Sequence, residues 1–184
     1  MRIPVIFSTV TGNAYKLAAA AAEVTPERIG PYNIRYITGK DGLRAVNYVT
    51  DEIVVKYDVF ILTYWCDLGS ADEDTLALLS RLNGKKLILL GTLGAPADGA
   101  HAVKVRENVE AAASRNNTVL AHYLCRGSVD LYRSDNKRLV PAGQKGSLDE
   151  KGYARHLESQ GHPDAADLAE AKRVVTEALA RLRL

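Results

Sequence analysis

The sequence predicts an α/β fold: a doubly wound, five-stranded parallel sheet in the order 2-1-3-4-5, with an insertion after strand five. Apolar runs rich in Val, Ile and Leu alternate with helical patterns almost from end to end. These runs are apolar along their whole length, so both faces are covered, as in a parallel sheet between two helix layers. The chain has 184 residues, 47% hydrophobic and 25% charged, which suits one domain over 1–184 with a real core. Right-handed crossovers limit the topologies open to such a sheet, and 2-1-3-4-5 is a common order at this size.

Ile3 to Ser8 reads as the first strand and Asn13 to Val24 as the helix after it, with an alanine-rich face that can lie close on a sheet. Asn33 to Thr38 reads as the second strand, and Leu43 to Lys56 holds a helix. Asp58 to Tyr64 is the third strand, ending in aromatics. Ser70 to Leu82 is a helix: Ser70 and Glu73 have capping-box spacing, and Leu76, Leu79 and Leu82 share a face. Lys86 to Gly91 is the fourth strand, Ala100 to Asn116 the fourth helix and Thr118 to Arg126 the fifth strand. From Gly127 to Gly161 the rhythm breaks into a polar stretch without periodicity, read as a solvated flap. Pro163 then opens a last helix, in the first turn where proline is tolerated, with Leu168, Val175, Leu179 and Leu182 as its apolar stripe.

Composition excludes several functions. The net charge is +2 with the two signs interspersed. There is no basic stripe and no interleaving of aromatic with basic residues, so no nucleic-acid partner is expected. No apolar run is long enough to span a bilayer, and Met1-Arg2-Ile3-Pro4 leads straight into a strand, so no membrane partner is expected. Two cysteines, Cys66 and Cys125, make neither a disulfide framework nor a metal-ligand pattern. A cytoplasmic location without a metal fits these features.

In a doubly wound sheet the ligand lies at the carboxyl ends of the strands, here the loops at 8–14, 63–71 and 91–100. The first carries Ser8-Thr9-Val10-Thr11-Gly12-Asn13-Ala14. Two hydroxyls, the Asn13 amide and the N–H groups of a helix start suit a dianionic phosphate. No lysine completes a nucleoside-triphosphate loop, and the glycine spacing does not fit a dinucleotide site. A plain polar turn capping a helix uses the same residue types. The second loop, Thr63-Tyr64-Trp65-Cys66-Asp67-Leu68-Gly69-Ser70, holds the only tryptophan. Its ring can stack on a planar heterocycle or close the core. The third, Gly91-Thr92-Leu93-Gly94-Ala95-Pro96-Ala97-Asp98-Gly99, has glycines that serve either a heterocycle edge or a flexible entry into a helix.

Thr9-x-Thr11-Gly12-Asn13 resembles the FMN phosphate motif of flavodoxins, Ser/Thr-x-Thr-Gly-x-Thr, and the other two loops fall where that family grips the isoalloxazine ring. Trp65 to Asp72, Gly91 to Ala95, Cys125-Arg126-Gly127 and His162-Pro163-Asp164 are similar to a flavodoxin branch of anaerobic bacteria that includes BilS-type proteins. The resemblance covers nearly the whole chain and implies a flavodoxin-like fold with non-covalent FMN. It places Thr9, Val10, Thr11, Gly12, Asn13 and Ala14 at the phosphate. Thr63, Tyr64, Trp65, Cys66, Asp67 and Gly69 then border the ring, and Thr92, Leu93, Gly94 and Ala95 its pyrimidine edge. Three features depart from the family: Ala14 lacks the hydroxyl of the motif's last threonine, the 91–99 loop has no aromatic plate, and the chain is not acidic. The residue after Trp65 is Cys66, where a left-handed turn is strained by roughly 1 kcal/mol or more. Gly69 is the alternative source of such a turn.

No acid-base constellation is evident: His101, His122, His156 and His162 are scattered, with His101 read as a capping or solvated residue. Cys66 and Cys125 read as packing residues, and Tyr123 and Tyr132 as core and insertion residues. The expected function is an electron-transfer flavoprotein, or the flavin component of a reductase pathway. Its partner would be a redox protein or a small-molecule electron acceptor. The alternative is a stand-alone NAD(P)H- or quinol-dependent FMN reductase, with the insertion as a substrate lid. A receiver-like signalling module would need acids at the ends of strands one and three, where Ser8, Thr9 and Thr63 stand instead.

Overall fold

A computed structural model describes residues 2–35 and 49–182. Its elements are β1 (Ile3–Phe7), α1 (Asn13–Glu23), β2 (Arg28–Asn33), α2 (Asp51–Lys56), β3 (Val59–Asp67), β4 (Ser70–Ala71) and α3 (Glu73–Arg81). They continue with β5 (Lys86–Leu93), α4 (Ala100–Ala113), β6 (Thr118–Arg126), α5 (Leu131–Arg138), α6 (Glu150–Glu158) and α7 (Ala165–Arg181). The long strands pair in parallel in the order β2-β1-β3-β5-β6, which is the expected topology once the short β4 is set aside.

Apolar side chains cover both faces of the sheet. Ile6, Phe60, Leu62, Tyr64, Leu87 and Leu89 face α3 and α4, while Val5, Phe7, Ile61, Ile88 and Leu90 face α1 and α7. The alanines of α1 keep that helix close: Ala14, Ala18 and Ala21 are fully buried. No helix among the described residues is long and apolar enough to cross a membrane.

Strand two, α3, the start of α7 and the 127–161 stretch differ from the sequence reading. Strand two is Arg28–Asn33, ahead of the expected 33–38, and residues 36–38 lie outside the described part. Gly30-Pro31 argues against a strand, yet β2 is an edge strand, where a missing N–H is tolerated. Gly30 is required there, because a Cβ would lie 2.5 Å from the Val5 carbonyl oxygen and φ is +90°. Of the helix expected within 43–56, the described part is Asp51–Lys56, and 43–48 lie outside the description.

Helix α3 starts three residues later than expected, capped by Asp72 through Thr75 N–H at 3.1 Å, not by Ser70. Ser70 is drawn into a hairpin with Asp67. Leu68 at φ 46° and Gly69 at φ 83° supply the left-handed pair that a two-residue turn needs. Pro163 precedes α7 instead of opening it. Asp164 is the cap, in a reciprocal box with Asp167.

The stretch 127–161, expected as a solvated flap, contains α5 and α6. Their apolar content is low, so polar contacts organise them. Asp130 and Asp149 cap the two helices. Arg126 Nη2 donates to the Arg155 carbonyl at 2.6 Å, and Val129 N–H donates to Ser159 Oγ at 2.9 Å.

Candidate functional site

A cavity of about 300 Å³ opens at the carboxyl ends of the central strands. Val10, Thr11 and Asn13 line it from the β1–α1 turn, Trp65 and Cys66 from β3, and Thr92, Leu93 and Gly94 from β5 and its exit. Eight of the residues singled out in the sequence are thus brought together. Thr9, Gly12, Ala14, Thr63, Tyr64, Asp67, Gly69 and Ala95 do not line the cavity.

The β1–α1 turn gathers hydroxyl and backbone N–H groups at the start of α1. Gly12 has φ 89°, and its N–H donates to Thr9 Oγ1 at 3.0 Å. Asn13 Nδ2 donates to Thr11 Oγ1 at 3.0 Å and to the Ser128 carbonyl at 2.9 Å. Both amide hydrogens are therefore engaged, and Asn13 braces the turn against the insertion, in place of the donation to a ligand expected from the sequence. Both threonine hydroxyls accept in these bonds, which leaves each O–H to donate. Helix α1 has no side-chain cap and no acid in its first turn. The N–H groups of that turn, with the positive end of the helix dipole, offer neutral donors to a phosphate.

Strand alternation explains the placement of the second loop. Thr63 is buried and donates its hydroxyl to the Ala14 carbonyl at 2.8 Å, which fixes α1 on the sheet. Tyr64 points to the other face and is fully buried, with Oη 2.8 Å from His122 Nε2. Only Trp65 and Cys66, at the strand end, reach the cavity. Cys66 is extended and paired with Ala71, while Gly69 takes the left-handed position. Burial pushes the Cys66 thiol up, and it pushes that of Cys125 up to about 12. Both are thiols at neutral pH, poor nucleophiles that serve packing. His101 is exposed at the start of α4.

The insertion supplies the rest of the wall: Gly127, Ser128, Val129 and Asp130, then Arg133, Ser134 and Lys137 of α5 and His156 of α6. A Cβ on Gly94 would lie 2.6 Å from Val129 Cγ2, so glycine lets the insertion come down on the end of β5. Ser134 Oγ donates to the Asp130 carbonyl at 3.1 Å and lies 2.8 Å from His156 Nδ1. The carbonyl can only accept, so the imidazole is the donor at Nδ1 and its Nε2 carries the lone pair. Burial first, then Lys137 and Arg155, lower the proton affinity of His156 and keep the ring neutral at pH 7.

Sequence reasoning missed these residues because their stretch shows no hydrophobic period. The available signals were Gly127 directly after a strand end and the four-residue spacing of Arg133 and Lys137 behind an aspartate cap.

A family model described as a flavodoxin domain matches residues 4–176, and the chain belongs to that family. The flavodoxin-like domain-containing protein BilS of Clostridioides difficile (strain CD3) is 27% identical over 174 residues, covering 93% of this chain and 92% of its own length. The protein of the same name from Clostridium symbiosum (strain WAL-14163) is 27% identical over 180 residues, covering 92% and 91%. Among solved structures, general stress protein 14 of Treponema denticola, determined in complex with FMN, superposes with a TM-score of 0.52 at 15% identity. It covers 100% of this chain and 98% of its own, a likeness of fold.

Proposed function

We propose that this chain binds FMN non-covalently in the cavity and works as an electron-transfer flavoprotein or as the flavin component of a reductase pathway. One observation carries the reading. The Thr11 hydroxyl and the uncapped start of α1 meet at a cavity walled by the sole tryptophan, in a chain of the flavodoxin family. That donor set fits a phosphate dianion without a metal or a lysine.

In this reading Thr9, Val10, Thr11 and the N–H groups of Asn13 and Ala14 take the phosphate, around the turn made by Gly12. Trp65 and Cys66 border the ring. Thr92, Leu93 and Gly94 lie at its edge, with Ala95 behind them. Thr63, Tyr64, Asp67 and Gly69 position these groups from the strand and hairpin without touching the ligand. When bound, FMN supplies a ring that takes up and returns electrons. The apolar wall of Trp65 and Leu93 excludes water from it. The partner is a redox protein or a small-molecule acceptor.

The cover of α5 and α6 over the cavity favours a second reading, a reductase that acts on a small molecule beneath the insertion. Steady-state oxidation of NADH or NADPH by the FMN-loaded protein separates the two. Thr11→Ala is expected to weaken FMN binding by about 1.5 kcal/mol, roughly tenfold, as for a hydrogen bond to a charged group. Riboflavin, which lacks the phosphate, should bind the variant and the parent alike. Equal losses for both flavins, or no loss, would remove Thr11 from the phosphate site.

A further inference from the structure

The α5–α6 side of the cavity carries positive charge for which the FMN reading has no use. Arg133 and Lys137 stand four residues apart on α5, hence on one helix face with a rise of about 6 Å between them. Arg133 Nε has an acid only at a distance, Asp130 Oδ2 at 3.8 Å. Among the described residues Lys137 has no carboxylate partner. His156 of α6 lines the cavity beside them as a neutral ring, held by Ser134. Asp130 is the one acid in the lining. Two cations against one carboxylate leave a surplus of positive charge at the cavity wall, which favours an anionic partner.

The FMN phosphate does not answer this surplus, because the β1–α1 turn meets it with neutral donors. The β5 loop also contributes no ring to the cavity wall. No aromatic residue lies between 91 and 99, and on the β5 side the cavity is lined by Leu93 and Gly94.

We infer that Arg133 and Lys137 form an oxyanion subsite for a carboxylate-bearing ligand that binds beside the flavin. The inference rests on the FMN reading above. Arg133 offers a planar fork that matches a carboxylate, and Lys137 a point charge one turn along the helix. The subsite selects reactants by charge: an organic acid is admitted and its uncharged analogue is not.

The test uses the FMN-loaded protein and follows the visible flavin spectrum during titration with benzoate and with benzamide, its neutral isostere. Benzoate is expected to perturb the spectrum saturably and to bind at least about tenfold more tightly than benzamide, as charge-assisted bonds require. Arg133→Gln with Lys137→Gln should remove most of that preference. Both side chains are exposed on α5, so the fold does not depend on them. FMN and riboflavin affinities of the double variant are measured alongside. A loss of FMN affinity that spares riboflavin would assign the two cations to the FMN phosphate and overturn the inference. Equal binding of benzoate and benzamide, or no perturbation by either in FMN-loaded protein, would also overturn it. Failure of the parent protein to bind FMN would overturn the FMN reading itself, a result distinct from these.

Discussion

Gly91→Val is expected to destabilise the fold by about 3 kcal/mol or more, the upper range for overpacking a core. Gly91 pairs with Tyr64 across β5 and β3. A Cβ at this position would lie 2.3 Å from Tyr64 Cζ, 2.5 Å from Tyr64 Oη and 2.7 Å from Leu124 Cδ1. Tyr64 is fully buried and Leu124 is 2% exposed, so neither has space to retreat. The effect is steric and not conformational, since φ at Gly91 lies outside the left-handed region. Urea unfolding reads the result directly. A midpoint equal to that of the parent would mean that Tyr64 does not lie over Gly91.

Tyr64→Phe is expected to destabilise by about 2 kcal/mol while keeping the ring's packing, because it orphans a buried partner. Glu110 accepts from His122 Nδ1 at 2.9 Å, so the neutral imidazole presents its lone pair at Nε2 to the Tyr64 hydroxyl, 2.8 Å away. Burial pushes His122 below its ordinary range, against the pull of the Glu110 carboxylate. The folded value is thus lower than the unfolded one of about 6.5, and the unfolded chain takes up the proton first. This contribution to stability is complete above about pH 6.5 and is lost as pH falls towards the folded value. The parent should therefore lose more stability between pH 7.5 and 5.5 than His122→Gln, which has no such group to titrate. A steeper loss in the variant would reverse the sign and refute the proton assignment.

The sheet was legible because β1, β3 and β5 are apolar at nearly every position, a pattern that requires cover on both faces. Strand β2 was misplaced because Gly30-Pro31 carries the chemistry of a turn, which only an edge position makes acceptable. The start of α3 was misplaced because Ser70 has the spacing of a cap, while the Leu68-Gly69 turn claims it for the hairpin. At the site, the β1–α1 turn was legible from its hydroxyls and glycine. The roles of Thr63 and Tyr64 were not, since alternation turns them to opposite faces and away from the cavity. Asn13 was read as a ligand donor because its contact with Ser128 joins residues 115 positions apart. The cationic wall was hidden for the same reason as α5 and α6: polar clamps, not a hydrophobic period, build that region.

The most direct measurement of FMN binding at the strand ends is the emission of Trp65, the sole tryptophan, during titration of flavin-free protein with FMN. Trp65 lines the cavity, so one equivalent of FMN is expected to quench its emission strongly and saturably. Trp65→Ala should loosen FMN while inorganic phosphate still binds at the β1–α1 turn. Emission indifferent to FMN, in protein that nevertheless binds the flavin, would place the cofactor elsewhere and contradict the assignment of this cavity.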